Sequence, residues 1–217
     1  MQIFRSGRGI AHPTREILNC GDLNPLNPCL RRGSGLLRCT HLKIIGGRRV
    51  PTPGTSARIR GYCAIVPRTP PARLITSSIE NPSVGGCFEL LEKRGFELDQ
   101  LSVDSAGLVD LEDFRCRIKS GVRLASVMLA NNETGAIQPV ATLADEARRQ
   151  GVPFHTDAVQ AVGRIPVSFR SLGVTSLSLS AHKFHGPIGV GALIVEKSDF
   201  LHPVLAGGHQ ERGFRPG

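Results

Sequence analysis

From Arg73 onward, short runs of apolar and β-branched residues alternate with stretches of helical period, and this alternation narrows the fold more than any other feature. Strands separated by helices pair side by side in the same direction, so the pattern predicts an α/β domain built on a largely parallel sheet. Leu74-Ile75-Thr76 reads as a strand, residues 82–94 as a helix with Pro82 in its first turn, and residues 96–103 as the next strand. Asp110 and Asp113 form a capping pair ahead of a helix ending near Lys119, and residues 122–129 give a continuous apolar strand. A helix over 140–150 starts after Pro139 and stops at Gly151, and strands follow at 152–156, 177–180 and 190–195.

The first third has a different composition. Residues 1–73 hold 13 lysines and arginines against two acids, Glu16 and Asp22, together with 8 of the 15 prolines. Four of the six cysteines, Cys20, Cys29, Cys39 and Cys63, also fall there, with no zinc-type spacing, so no metal site is expected. Glycine and proline punctuate the segment so often that residues 1–72 are expected to be a poorly ordered basic stretch, and 73–217 the folded domain. The basic charge is confined to this stretch and lacks aromatic interleaving, so nucleic acid is not an expected partner. No apolar run approaches the roughly 20 residues that cross a bilayer, and a cytoplasmic location is expected.

Ligands of parallel α/β sheets bind beyond the carboxyl ends of the strands. Three polar turns occupy such places: Asn131-Asn132-Glu133-Thr134-Gly135, His155-Thr156-Asp157-Ala158-Val159-Gln160 and Ser180-Ala181-His182-Lys183. An aspartate and a lysine on successive strand ends suit a pyridoxal site, where a carboxylate keeps the ring nitrogen protonated and an amine bonds the carbonyl. Read alone, the Asn131-Asn132 turn with Gly135 is better explained as a plain reversal of the chain.

The match extends well beyond these turns. The stretches 126–139, 154–163, 178–187, 189–193 and 210–217 resemble the class V aminotransferase family, in particular its cysteine desulfurases and selenocysteine lyases, from about Arg73 to the last residue. The resemblance implies the large domain of a pyridoxal 5'-phosphate-dependent transferase of fold type I. It implies Lys183 as the residue bonded to the cofactor, Asp157 as partner of the ring nitrogen, and Gln160 as partner of the phenolic oxygen. Asn132 is implied to contact cofactor or substrate, and Ser180 and His182 to hold the phosphate side. The implied reaction removes sulfur from L-cysteine or a related amino acid, giving alanine and delivering sulfur to an acceptor protein for iron–sulfur clusters or other uses. A homodimer, with Arg212 and Arg215 near cofactor and interface, is part of the same expectation. His155 and His185 read as local hydrogen-bonding or packing residues.

Four departures from the family pattern stand out. Asn81, in Ile79-Glu80-Asn81-Pro82, occupies the place of a ring-stacking histidine and is assigned to the cofactor site without that residue's titration. The small-residue, threonine-containing phosphate turn is not found among residues 51–61, and the chain reaches Gly217 without the downstream cysteine that attacks sulfur. His209 stands where the family has a third glycine. The expectation is a copy incomplete at both ends, whose first third comes from a shifted frame or misplaced start. The competing expectation is an inactive fragment that serves at most as an interaction module.

Overall fold

The computed structural model describes residues 43–47, 72–119, 121–187 and 190–196. Their strands are β1 (Lys43–Gly47), β2 (Arg73–Ser77), β3 (Glu97–Leu101), β4 (Val122–Ser126), β5 (Phe154–Asp157), β6 (Ser176–Ser180) and β7 (Gly191–Val195), joined in one sheet of order β1-β7-β6-β5-β4-β2-β3. β2 through β6 pair in parallel, whereas β7 pairs antiparallel with both β6 and β1. The parallel sheet expected from the alternation is therefore present, with an antiparallel margin. The sequence reading assigns no strand to the first third, and β1 falls within it.

The helices are α1 (Pro82–Glu92), α2 (Leu111–Arg117), α3 (Val140–Arg149) and the single turn α4 (Phe169–Leu172). Each start has a local cause. Asn81 caps α1 by accepting from the Ser83 amide at 3.1 Å, ahead of Pro82, whose missing N–H costs nothing in a first turn. Asp110 caps α2 through the Glu112 amide at 2.8 Å, as the acidic pair predicts. α3 ends where Gly151 takes φ 69°, a left-handed backbone suited to glycine.

Side chains alternate across a strand, so each face of the sheet has its own inventory. One face contributes Ile75, Ala125, Phe154, Leu177 and Ile194 to the main core, closed by Phe114 of α2 and Leu143 and Ala147 of α3. Phe114 meets Phe154 edge to face, with centroids 6.1 Å apart. The opposite face carries Leu74 and Leu124 under Val84, Phe88 and Leu91 of α1. On that second face the apolar character gives way, from β4 to β6, to buried Ser126, His155, Asp157, Ser176, Ser178 and Ser180. No helix among the described residues is long and apolar enough to cross a membrane.

Candidate active site

The sheet delivers the polar turns to one edge. β2, β4, β5 and β6 are successive neighbours and run the same way, so their carboxyl ends present Asn81, Asn132, Asp157 and Ser180 in spatial order. Asp157 is the last residue of β5 and is buried, and its Oδ1 accepts the Val159 amide at 2.9 Å. That bond folds the chain sharply after the strand and fixes one carboxylate oxygen. Gln160 follows in the same turn, half-buried, its Oε1 accepting from Arg164 at 3.0 Å.

Ser180 ends β6 on the same face as Asp157, since Ser178 pairs with Asp157 and lies two residues earlier. Its hydroxyl lies 2.8 Å from His182 Nδ1, so serine and imidazole orient each other. Lys183 sits half-buried in a single 3-10 turn, Ala181–Phe184. The turn is tight at its end: His185 adopts φ 65° and the Gly186 amide donates to Ala181 O at 2.8 Å. A Cβ on Gly186 would meet Ala181 Cβ at 2.7 Å, so only glycine lets the chain reverse so soon after the lysine.

The turns of β5 and β6 also press on each other. Gly163 has φ 82°, and a Cβ there would lie 2.6 Å from Phe184 Cβ. The segment carrying Asp157 and Gln160 is thereby packed against the residue that follows Lys183.

Of the adjacent asparagines after β4, Asn131 is the one the fold consumes. Its Oδ1 accepts from the Glu133 and Thr134 amides at 2.8 and 2.9 Å, and its Nδ2 donates to Ile79 O at 3.0 Å. Asn132 is left exposed at the tip. Asn81 has its side-chain oxygen engaged by Ser83, through the amide and through the hydroxyl at 2.7 Å. Its first task is therefore capping α1.

Beneath the site a polar file crosses the sheet. Ser126 Oγ lies 3.1 Å from His155 Nδ1, and His155 Nε2 lies 2.9 Å from Ser178 Oγ. Burial pushes the His155 pKa down to about 3, so the ring is neutral and each nitrogen has a hydroxyl partner. This agrees with the hydrogen-bonding role read from the sequence. The sequence reading gave no role to Glu80, whose Oε1 accepts from Ser77 Oγ at 2.6 Å and the Met128 amide at 2.7 Å. Its sequence signal was its place immediately before Asn81.

Arg212, Arg215, His209 and the segment searched for a phosphate turn lie outside the described residues. Cys87 is buried, its thiol donating to the Ser83 carbonyl at 3.4 Å, and Cys116 is exposed.

Comparison with known proteins gives the same picture from another direction. The family model for class V aminotransferases matches residues 62–215, starting ahead of Arg73. A cysteine desulfurase of Klebsiella pneumoniae is 46% identical over 144 residues, covering 66% of this chain and 36% of the relative. Cysteine desulfurase IscS of Dictyoglomus turgidum is 47% identical over 144 residues, again 66% of this chain and 36% of the relative. A solved NifS-like protein superposes with a TM-score of 0.74 at 35% identity, over 81% of this chain and 48% of that one. A solved structure of SspA in complex with cysteine gives 0.71 at 30% identity, over 80% of this chain and 50% of that one. The chain thus spans about a third to a half of the length of these relatives.

Proposed function

The chain belongs to the class V aminotransferase family, and from that premise we propose that it is a pyridoxal 5'-phosphate-dependent cysteine desulfurase-type protein that takes sulfur from L-cysteine and releases alanine. The observation that carries the reading is the presence of Asp157 and Lys183 at the carboxyl ends of the neighbouring parallel strand β5 and of β6.

The donor set fits the cofactor. A carboxylate at Asp157 suits a protonated ring nitrogen, amides at Gln160 and Asn132 suit a phenolic oxygen and a substrate carboxylate, and the Ser180–His182 pair suits a phosphate oxygen. Lys183 would supply the amine that holds the cofactor carbonyl, and its tight turn limits where that amine can reach. When bound, the cofactor supplies an electron sink for the substrate's α-carbon. The residues' own work is to bind and orient. With the cofactor bound, Asp157 would favour a protonated ring nitrogen, Lys183 would offer an amine as base, and Gln160 would hold the phenolic side of the ring. Asn81 would offer a planar amide that does not titrate near neutral pH, so acid–base steps at that position would rest on other groups.

Sulfur delivery to a cluster-assembly or other acceptor protein, and pairing with a second copy, are parts of the same proposal. The test is titration of the purified chain with pyridoxal phosphate, followed by an assay for alanine released from L-cysteine. The expected result is a visible band that borohydride bleaches and that Lys183→Ala lacks, with alanine formed by the parent. No such band in the parent defeats the reading. A band without alanine leaves a cofactor-binding, non-catalytic protein.

A further inference from the structure

The turn between β2 and α1 carries Asn81, and two contacts fasten it across the sheet to the segment after β4. Glu80 Oε1 takes the Met128 amide at 2.7 Å, and Ile79 O takes the Asn131 side-chain amide at 3.0 Å. Ser77, on β2 itself, adds its hydroxyl to Glu80 Oε1 at 2.6 Å. Both donors go to one oxygen. The other, Oε2, is buried with no hydrogen-bond partner.

That asymmetry bears on the protonation state. An ionised carboxylate spreads its charge over both oxygens, and burying one of them without a donor is costly. A neutral acid concentrates its acceptor strength on the carbonyl oxygen, which here is the atom that receives both bonds. Among the described residues, the ionisable group that acts on Glu80 is Asp157 of β5, whose negative charge further opposes ionisation. The Ser77 hydroxyl and Met128 amide favour the charged form but do not outweigh burial, and the carboxyl is pushed up to about 8.

We propose that Glu80 is a positioning residue that works as a neutral acid, clipping the Asn81 turn to the end of β4 and leaving Asp157 the carboxylate charge of that corner. An ionised Glu80 would set a second negative charge near Asp157 and compete with it for any cation the site holds. The clip itself is a property of the fold, and only the meaning given to Asp157 rests on the proposed function.

The test is a carbon NMR titration of the cofactor-free full chain with its glutamate carboxyls labelled. One resonance is expected to keep the protonated shift through neutral pH, to titrate near 8 and to be missing in Glu80→Gln. Asp157→Asn is expected to move that midpoint downward by removing the neighbouring charge. Titration of every glutamate in the ordinary carboxylate range near 4.5 overturns the proposal. In a second arm, Glu80→Gln retains a neutral acceptor without the proton that the unfolded carboxyl releases, so it is expected to melt no lower than the parent at neutral pH, and equal losses in Glu80→Gln and Glu80→Ala also overturn the proposal. Should Glu80→Ala fail to fold, the parent and Glu80→Gln titrations still decide. Absence of a cofactor band with the Glu80 titration intact defeats the proposed function and leaves the clip standing.

Discussion

Gly163 and Phe184 meet so closely that a single added carbon on the glycine would lie 2.6 Å from the Cβ of the phenylalanine. Gly163 also needs φ 82°, a conformation that penalises any side chain. Gly163→Ala is therefore expected to lose about 1–3 kcal/mol from combined overpacking and backbone strain. Because Phe184 follows Lys183, the same variant is expected to retain pyridoxal phosphate less well. Urea unfolding and cofactor absorbance on one preparation check both.

Stability is expected to depend on pH through two buried groups with opposite slopes. His155 is held to about 3 against an ordinary 6.5, so between those values the unfolded chain binds a proton that the folded chain refuses, and stability falls on acidification. Glu80 is raised from 4.5 to about 8, so between those values the folded chain keeps a proton that the unfolded chain releases, and stability falls as pH rises. Each slope is about 1.4 kcal/mol per pH unit. They oppose one another from 4.5 to 6.5, which predicts a plateau there, with losses on both sides. Urea midpoints across pH measure it, and Glu80→Gln should remove the alkaline fall and turn the plateau into a continued rise up to 6.5, where His155 is then unopposed.

Adjacent asparagines are expected to separate structure from binding. Asn131→Ala leaves two backbone amides and the Ile79 carbonyl without their partner and should cost about 2–3 kcal/mol. Asn132→Ala, at an exposed position, should change stability by less than about 0.5 kcal/mol while weakening cofactor or substrate binding. A melt and a cofactor titration of the pair give the contrast, and matched losses of stability would contradict it.

α1 offers a stabilising change. A Cβ built on Gly86 meets nothing within 4 Å, and the residue lies inside a helix. Gly86→Ala is expected to raise stability by about 0.5–1 kcal/mol through the lower entropy of its unfolded chain, with cofactor binding unchanged. A shift in the urea midpoint at constant slope is the measurement.

The elements legible in the sequence were those whose signal is local. Pro82, Asp110 and Pro139 with Gly151 mark helix limits by their own backbone chemistry, and the apolar runs of β4 and β7 announce strands buried on both faces. The turns bearing Asn132, Asp157 and Lys183 were legible because polar residues follow apolar strands at once. What escaped depends on distant partners. The alternatives Asn131 and Asn132 are chemically identical, and which one is consumed is decided by Ile79, far away in sequence. Glu80 looks like any surface acid until Met128 is set beside it. The antiparallel direction of β7 follows from the short connection after Lys183, whose Gly186 reversal carries no signal of strand direction.

The Ser126–His155–Ser178 file has a consequence for how the chain aligns itself. β4 and β5 pair Ala125 with Phe154 and Ser126 with His155, and beyond them the Val127 and Leu129 amides donate to the His155 and Asp157 carbonyls at 3.2 and 2.9 Å, so side chains and backbone must agree on one register. Slipping β5 by one residue would turn His155 and Asp157 into the cluster around Phe114 and Leu143, and bring Phe154 among hydroxyls. The imidazole thus acts as a key cut for one lock position, rejecting the misaligned sheet before the site can form.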